Sequence, residues 1–183
     1  RALRAGKHVL AEKPVGMNER EAEQIEEALA GSGACFLAGY SFRYLPAWWQ
    51  AHELLAAGAV GEIQAIAGRF STGPLNNGWI ADPACGGGPL LFVGVHLIDQ
   101  IVWYAGDDPV EVYADLHRRP DTGAEATAAF QMAFARGAVA QCFVSQTADR
   151  LRYGLDITGT AGTLSLRTAG FLDYEIAVQS GVL

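Results

Sequence analysis

Ala5-Gly-Lys-His-Val-Leu-Ala-Glu-Lys-Pro14 is the stretch on which the fold turns. Residues 1–5 followed by Gly6 have the pattern of a last helical turn closed by a C′ glycine. Residues 8–12 make a short apolar strand, and Lys13 leaves it in extended geometry because Pro14 follows. Asn18 is placed to cap the next helix, and Glu21, three residues on, completes a capping box. Ala22, Ile25, Ala28 and Leu29 form that helix's apolar stripe, and Gly31 ends it. Residues 35–39 are a second short apolar run. Strand, helix and strand joined this tightly are the grammar of a parallel α/β sheet.

The grammar changes after Gly39. Pro46 suits the first turn of a helix that stops at Gly58. Residues 62–70 begin as a period-two strand with Ile63, Ala65 and Ala67 on one face. Residues 72–88 are rich in turn signals: Pro74, Asn76-Asn77-Gly78, Pro83 and Gly86-Gly87-Gly88. Residues 89–105 predict a helix, with Leu90, Leu91, Gly94, Leu97, Ile98, Ile101 and Val102 at three-and-four spacing. Beyond Pro109 the signals are those of strands, with turns at Arg136-Gly137 and between Gly159 and Gly162. The expected class is therefore α+β. Residues 1–40 read as the tail of an α/β domain, and 41–183 as an α+β domain with a large, mostly antiparallel sheet and helices on one face.

Composition narrows the function. Of 183 residues, 50% are hydrophobic and 18% charged, which suits a packed core and not disorder. The 20 acidic against 13 basic side chains argue against a nucleic-acid partner. The longest apolar run, residues 90–98, contains Gly94 and His96 and is too short to span a bilayer. Cys35, Cys85 and Cys142 are widely spaced, fitting a reduced cytoplasmic chain and neither a disulfide framework nor a metal site. The opening residues lack an initiator Met and read as the middle of a helix, which predicts a longer polypeptide.

Two places can carry chemistry. Glu12-Lys13-Pro14 ends a strand, where open α/β sheets bind ligands. A Lys there is a proton carrier or a fixed cation beside an oxygen, unless it is a solvated surface residue. In the later helix Phe92, His96 and Asp99 fall on one face opposite the aliphatic stripe. A His with a carboxylate in reach moves protons near neutral pH, unless the pair is a buried structural one. The three glycines ahead of that helix could cradle an anion. A tight turn bringing backbone against a neighbour is the plainer role. Arg43, between aromatics, is suited to a substrate hydroxyl or carboxylate, or to structural pairing. Trp79 is a pocket-wall candidate, whereas Trp48, Trp49 and His52 suit helix packing.

Taken in order, Ala5-Gly-Lys-His-Val-Leu-Ala-Glu-Lys-Pro14, Gly39-Tyr-Ser-Phe-Arg-Tyr-Leu-Pro46, Gly58-Ala-Val-Gly-Glu-Ile63, Gly86-Gly-Gly88, Gly94-Val-His-Leu-Ile-Asp99 and Asp156-Ile-Thr-Gly-Thr-Ala-Gly-Thr-Leu164 resemble the Gfo/Idh/MocA family of nicotinamide-dependent sugar oxidoreductases. The resemblance implies hydride transfer between NAD or NADP and a sugar, polyol or related carbonyl compound. It implies that residues 1–40 end a Rossmann domain, with catalytic Lys13 and His96, a cofactor site including Lys13 and Pro14 next to Glu12, and a substrate contact from Arg43. Trp79 and Asp99 are added as substrate contacts from their own places in the sequence. It also implies a homo-oligomer joined through the antiparallel sheet. The family's glycine-rich phosphate turn is absent from these residues, so they are expected to be inactive alone. Many of the family's dehydrogenases carry Asp four residues before the histidine; here Phe92 stands there. That leaves Lys13 and His96 as the acid/base pair, and keeps open an alternative, a non-catalytic ligand-binding or oligomerisation module.

Overall fold

The computed structural model describes residues 1–74, 78–168 and 173–181, so Asn76 and Asn77 lie outside the described residues. It comprises two compact units, Arg1–Ser41 and Phe42–Leu183. In the first, β1 (Val9–Glu12) pairs in parallel with β2 (Phe36–Gly39), and α1 (Glu19–Ala30) connects them. Gly6 closes a 3-10 turn in the left-handed conformation expected of it. The Asn18 side chain accepts from the Glu21 N–H, while the Glu21 carboxylate reaches one residue further back than a regular capping box, to the Met17 N–H. The His8 ring accepts from the Cys35 N–H at 3.0 Å, fastening the two strand entrances.

The second unit holds α2 (Pro46–Ala56), β3 (Ile63–Ser71), α3 (Val95–Ala105), β4 (Pro109–Arg118), β5 (Glu125–Phe134), β6 (Val139–Ser145), β7 (Arg152–Gly159), β8 (Gly162–Thr168) and β9 (Tyr174–Ser180). The seven strands form one sheet in the order β4-β5-β6-β3-β7-β8-β9. Pairing is antiparallel except between β3 and β6, because β3 enters the middle of the sheet from a helix and not from a hairpin. Alternate residues of the strands face inward, Phe130, Met132, Val144, Leu155, Ile157, Leu164 and Leu166 among them. Strand β9 was not evident from the sequence, since its residues are mostly exposed and carry no core stripe.

Two local irregularities redirect side chains. A register shift between Ile63 and Ala65 puts Ile66 and Phe70 on the core face, while Ala67 is exposed. The expected Ile63/Ala65/Ala67 face is therefore broken, because a bulge reverses the phase of an alternating strand. The helix expected over 89–105 begins with a π turn, Leu90–Gly94, before α3. The stretch Pro83–Ala105 is long and apolar enough by length and composition to cross a membrane, which the 90–98 run alone did not suggest, but half of its most apolar window is buried inside the protein. It is a core helix, apolar because both its sides pack. Leu97 and Ile101 are fully buried, and Tyr104 donates to the Trp48 carbonyl at 2.9 Å, tying α3 to α2.

The glycine run makes this helix start possible. Gly87 donates to the Asp82 carbonyl at 2.8 Å, and a Cβ on it would stand 2.6–2.7 Å from the carbonyl oxygens of Trp79, Ile80 and Asp82. Gly88 has φ +126°, and a Cβ there would stand 2.0 Å from the Glu125 carboxyl carbon. Glu125, 9% exposed, accepts from the Leu90 N–H at 3.2 Å. The anion at this helix start is the protein's own carboxylate, and the run is the tight backbone approach foreseen for it. Gly88→Ala is expected to destabilise the protein by about 3 kcal/mol, through a strained φ and displacement of a buried hydrogen-bonded carboxylate. Urea unfolding checks this. In a Gly88→Ala/Glu125→Ala double variant the two losses should fall short of additivity by about 1 kcal/mol, since the added methyl then has room.

Candidate active site

In the first unit the candidate residues lie at the carboxyl end of β1. Glu12 is the last strand residue, paired with Gly39, and the Lys13–Pro14 bond is cis. Lys13 is half-buried, and that burial pulls its ammonium below the ordinary value of 10.5, against the opposing pull of Glu12. A lysine so placed is more readily deprotonated than a solvated one, and so better suited to proton transfer. Glu12 and Pro14 flank it in sequence as read.

In the second unit two candidate residues, His96 and Asp99, lie on α3. His96 and Asp99, expected on a face away from the apolar stripe, are both buried, at 5% and 9% exposure. The reason is a second layer of aromatic packing on that side. The His96 ring stacks on Phe42 with centroids 4.1 Å apart and planes 11° from parallel. Phe42 in turn meets Trp48, Phe70 and Tyr153. This web fixes the imidazole plane, which a proton carrier needs.

Arg43, the next residue after Phe42, forks onto Asp99, with Nε to Oδ2 at 2.9 Å and Nη2 to Oδ1 at 2.6 Å. Its guanidinium also lies 5.3 Å from the centroid of the Trp103 ring, and His52 stacks on Trp103 at 4.1 Å. Asp99 was read as a substrate ligand. Its side chain is 7% exposed with both oxygens on Arg43, a geometry that holds the arginine in place. Arg43, 37% exposed, is the member of the pair that reaches the surface. Trp79, 41% exposed, meets the edge of Phe92 at 5.9 Å and 71°, and Phe92 lies one turn before His96.

Sequence reasoning brought His96, Asp99 and Arg43 into view but not their supports. Phe42 and Trp103 are ordinary aromatics until the fold stacks them, and Glu125 lies 35 residues from the backbone group it binds. The spacing of Arg43 and Asp99, 56 residues apart, carries no signal of their pairing. Trp49, expected to pack, is 48% exposed. Among the described residues no group of three His, Cys, Asp or Glu side chains is placed to hold a metal ion, and Cys35, Cys85 and Cys142 are thiols.

On its outer face the sheet carries a concavity of about 650 Å³ whose lining includes Arg69, Tyr113, Asp115, Phe143, Asp156 and Arg167. Burial alone would raise the Asp156 carboxyl, but the Ser165 hydroxyl and the Arg167 guanidinium outweigh it and hold it below the usual carboxylate range. His96 does not line this concavity, which is a feature of the sheet surface and not of the candidate site.

Residues 48–165 match the family model described as GFO/IDH/MocA C-terminal domain. The chain is 37% identical over 122 residues to the dTDP-3,4-didehydro-2,6-dideoxy-alpha-D-glucose 3-reductase of Actinomadura kijaniata, covering 66% of this chain and 37% of that protein. It is 31% identical over 170 residues to the 1,5-anhydro-D-fructose reductase of Ensifer adhaerens, covering 89% of this chain and 50% of that one. Among solved structures, GenD2 from gentamicin A biosynthesis, in complex with NAD, superposes with a TM-score of 0.84 at 28% identity over 91% of this chain and 49% of its own. The chain spans about half the length, or less, of such curated relatives. With the motif order, the mixed seven-stranded sheet and this match over most of its length, the chain belongs to the GFO/IDH/MocA family of oxidoreductases.

Proposed function

We propose that this chain is the carboxy-terminal part of an NAD(P)-dependent oxidoreductase acting on a sugar-like carbinol or carbonyl compound. Lys13 carries the reading: a half-buried lysine with a lowered pKa at the carboxyl end of a parallel strand pair, in a chain of this family. The NAD-bound relative and the two sugar reductases support the cofactor and the substrate class. Glu12, Lys13 and Pro14 fit the nicotinamide end of such a cofactor, because they end a parallel strand where ligands sit. When bound, the nicotinamide accepts or supplies the hydride.

The residues of this chain manage the proton. As a carbinol C–H bond breaks and C=O forms, the hydroxyl proton leaves, and His96 takes it. The Lys13 ammonium is suited to stabilise the negative charge that develops on a substrate oxygen, and in reduction the flow reverses. Arg43, held by Asp99 and Trp103, orients a second substrate oxygen, and Trp79 forms part of the pocket wall. The outer sheet face, with charges of both signs around Tyr113 and Phe143, is taken to pack on a second copy of the chain. A cytoplasmic setting suits the three thiols.

A second reading is favoured by Phe92, which brings no titratable group to the turn before His96: a non-catalytic ligand-binding or oligomerisation module. Turnover by the full-length protein excludes it when Lys13→Ala abolishes that turnover. Under the oxidoreductase reading, Lys13→Ala and His96→Asn each lower kcat by about 100-fold or more while nicotinamide binding, followed by fluorescence titration, is kept. Full-length protein that binds no nicotinamide overturns the reading.

The pH dependence has a definite sign. Lys13 acts as a cation, so activity in the reducing direction falls as pH rises through its lowered pKa, before the ordinary 10.5. Lys13→Arg, whose charge persists to higher pH, should remove that alkaline limb from the pH profile of kcat/KM even if the rate is lower. A limb unchanged in the variant assigns it to another group. For the sheet, light scattering at micromolar concentration should show a dimer or larger assembly that Phe143→Arg dissociates, and a strictly monomeric wild type contradicts the second-copy assignment.

A further inference from the structure

We infer that Phe92 and Trp79 form an apolar wall beside His96 that selects substrates whose ring edge next to the reacting carbon is hydrocarbon, a deoxy or carbocyclic edge, over fully hydroxylated ones. The inference rests on the oxidoreductase reading above and names the substrate class of that site.

The wall is built and not incidental. Phe92 is partly buried against the core and lies one turn before His96, in the middle of the π turn that leads into α3. Departures of this kind from α geometry re-aim side chains and recur at functional sites. Trp79 meets Phe92 edge-on, with centroids 5.9 Å apart. Its loop cannot drift, because the carbonyls of Trp79, Ile80 and Asp82 close on Gly87, where any side chain would collide, and Gly87 donates back to Asp82. The glycine run thus binds both halves of the wall, the loop and the helix start. Trp79 remains 41% exposed, so the pair is not core packing closed on all sides. Phe42, stacked on the imidazole, adds a further phenyl surface at the same histidine.

A phenyl ring offers no hydrogen-bond donor or acceptor. A substrate hydroxyl pressed against it gives up water and gains no partner, whereas a methylene there is buried favourably. The polar anchor of this unit, Arg43 on Asp99, comes from a different segment, the turn Ser41–Tyr44. Substrates with one oxygenated edge and one hydrocarbon edge match this division.

The test compares two six-membered carbocycles, trans-1,2-cyclohexanediol and myo-inositol, as substrates for NAD(P)⁺-dependent oxidation by the full-length holoenzyme. Kinetics is run alongside calorimetric binding of each probe. The wild type is expected to favour the diol by tenfold or more in kcat/KM. Phe92→Asp should lower that ratio by tenfold or more, Trp79→Ala should lower it less, and Phe92→Leu, which keeps an apolar surface and reports on folding, should leave it within threefold. A wild-type ratio near one, a ratio unmoved by Phe92→Asp, or holoenzyme that neither binds nor oxidises the diol overturns the inference while nicotinamide binding leaves the oxidoreductase reading standing. Protein that binds no nicotinamide overturns that reading and the inference with it.

Discussion

The second unit depends on one carboxylate reaching one backbone N–H. Glu125, at the start of β5, accepts from Leu90 across the space that Gly88 leaves open. That contact lies at the first residue of the Leu90–Gly94 π turn, which runs directly into the following helix. His96, Asp99, Gln100 and Trp103 are all carried by that helix, and the burial of the first three follows from its phase. A shift of one residue would turn the imidazole by roughly 100° around the helix axis. The buried carboxylate also complements the partial positive charge of the helix start, so the interaction serves both satisfaction and electrostatics.

Around that helix the protein separates two jobs. One side is apolar and fixes position: Leu97 and Ile101 against the sheet, Phe42 flat on His96. The other is polar and fixes charge: Arg43 forked on Asp99 and laid over Trp103. An arginine held by both a carboxylate fork and a ring face loses little further freedom on meeting a ligand, which is the advantage of preorganisation. Because Asp99 is nearly inaccessible, removing Arg43 would leave a buried carboxylate without its cation, so the two side chains stand or fall together.

Much of this was legible in the residues. Gly6, Asn18 and Pro46 mark helix ends by local chemistry, and the structure keeps those ends because a cap depends only on its neighbours. The Arg136-Gly137 turn is legible for the same reason, with Gly137 at φ +96°. What failed to show was non-local. The bulge between Ile63 and Ala65 arises where β3 meets Gly159 of β7, and nothing within 62–70 encodes it. The π turn depends on Glu125, the burial of His96 on Phe42, and the orientation of Arg43 on Asp99, all partners distant in sequence. Lys13 stood out because Pro14 follows a strand, but its lowered pKa is a product of burial that no motif states.

The central proposal is that Lys13 and His96 are both catalytic residues of the reaction. The most direct measurement is a kinetic double-variant cycle on the full-length enzyme, with Lys13→Met, His96→Leu and the combination, each read as kcat/KM at saturating nicotinamide. Residues that serve one chemical step fail together, so the account expects the double variant to lose at most about tenfold more than the worse single one. Losses that multiply in full, or a single variant that turns over as well as the wild type, would contradict it.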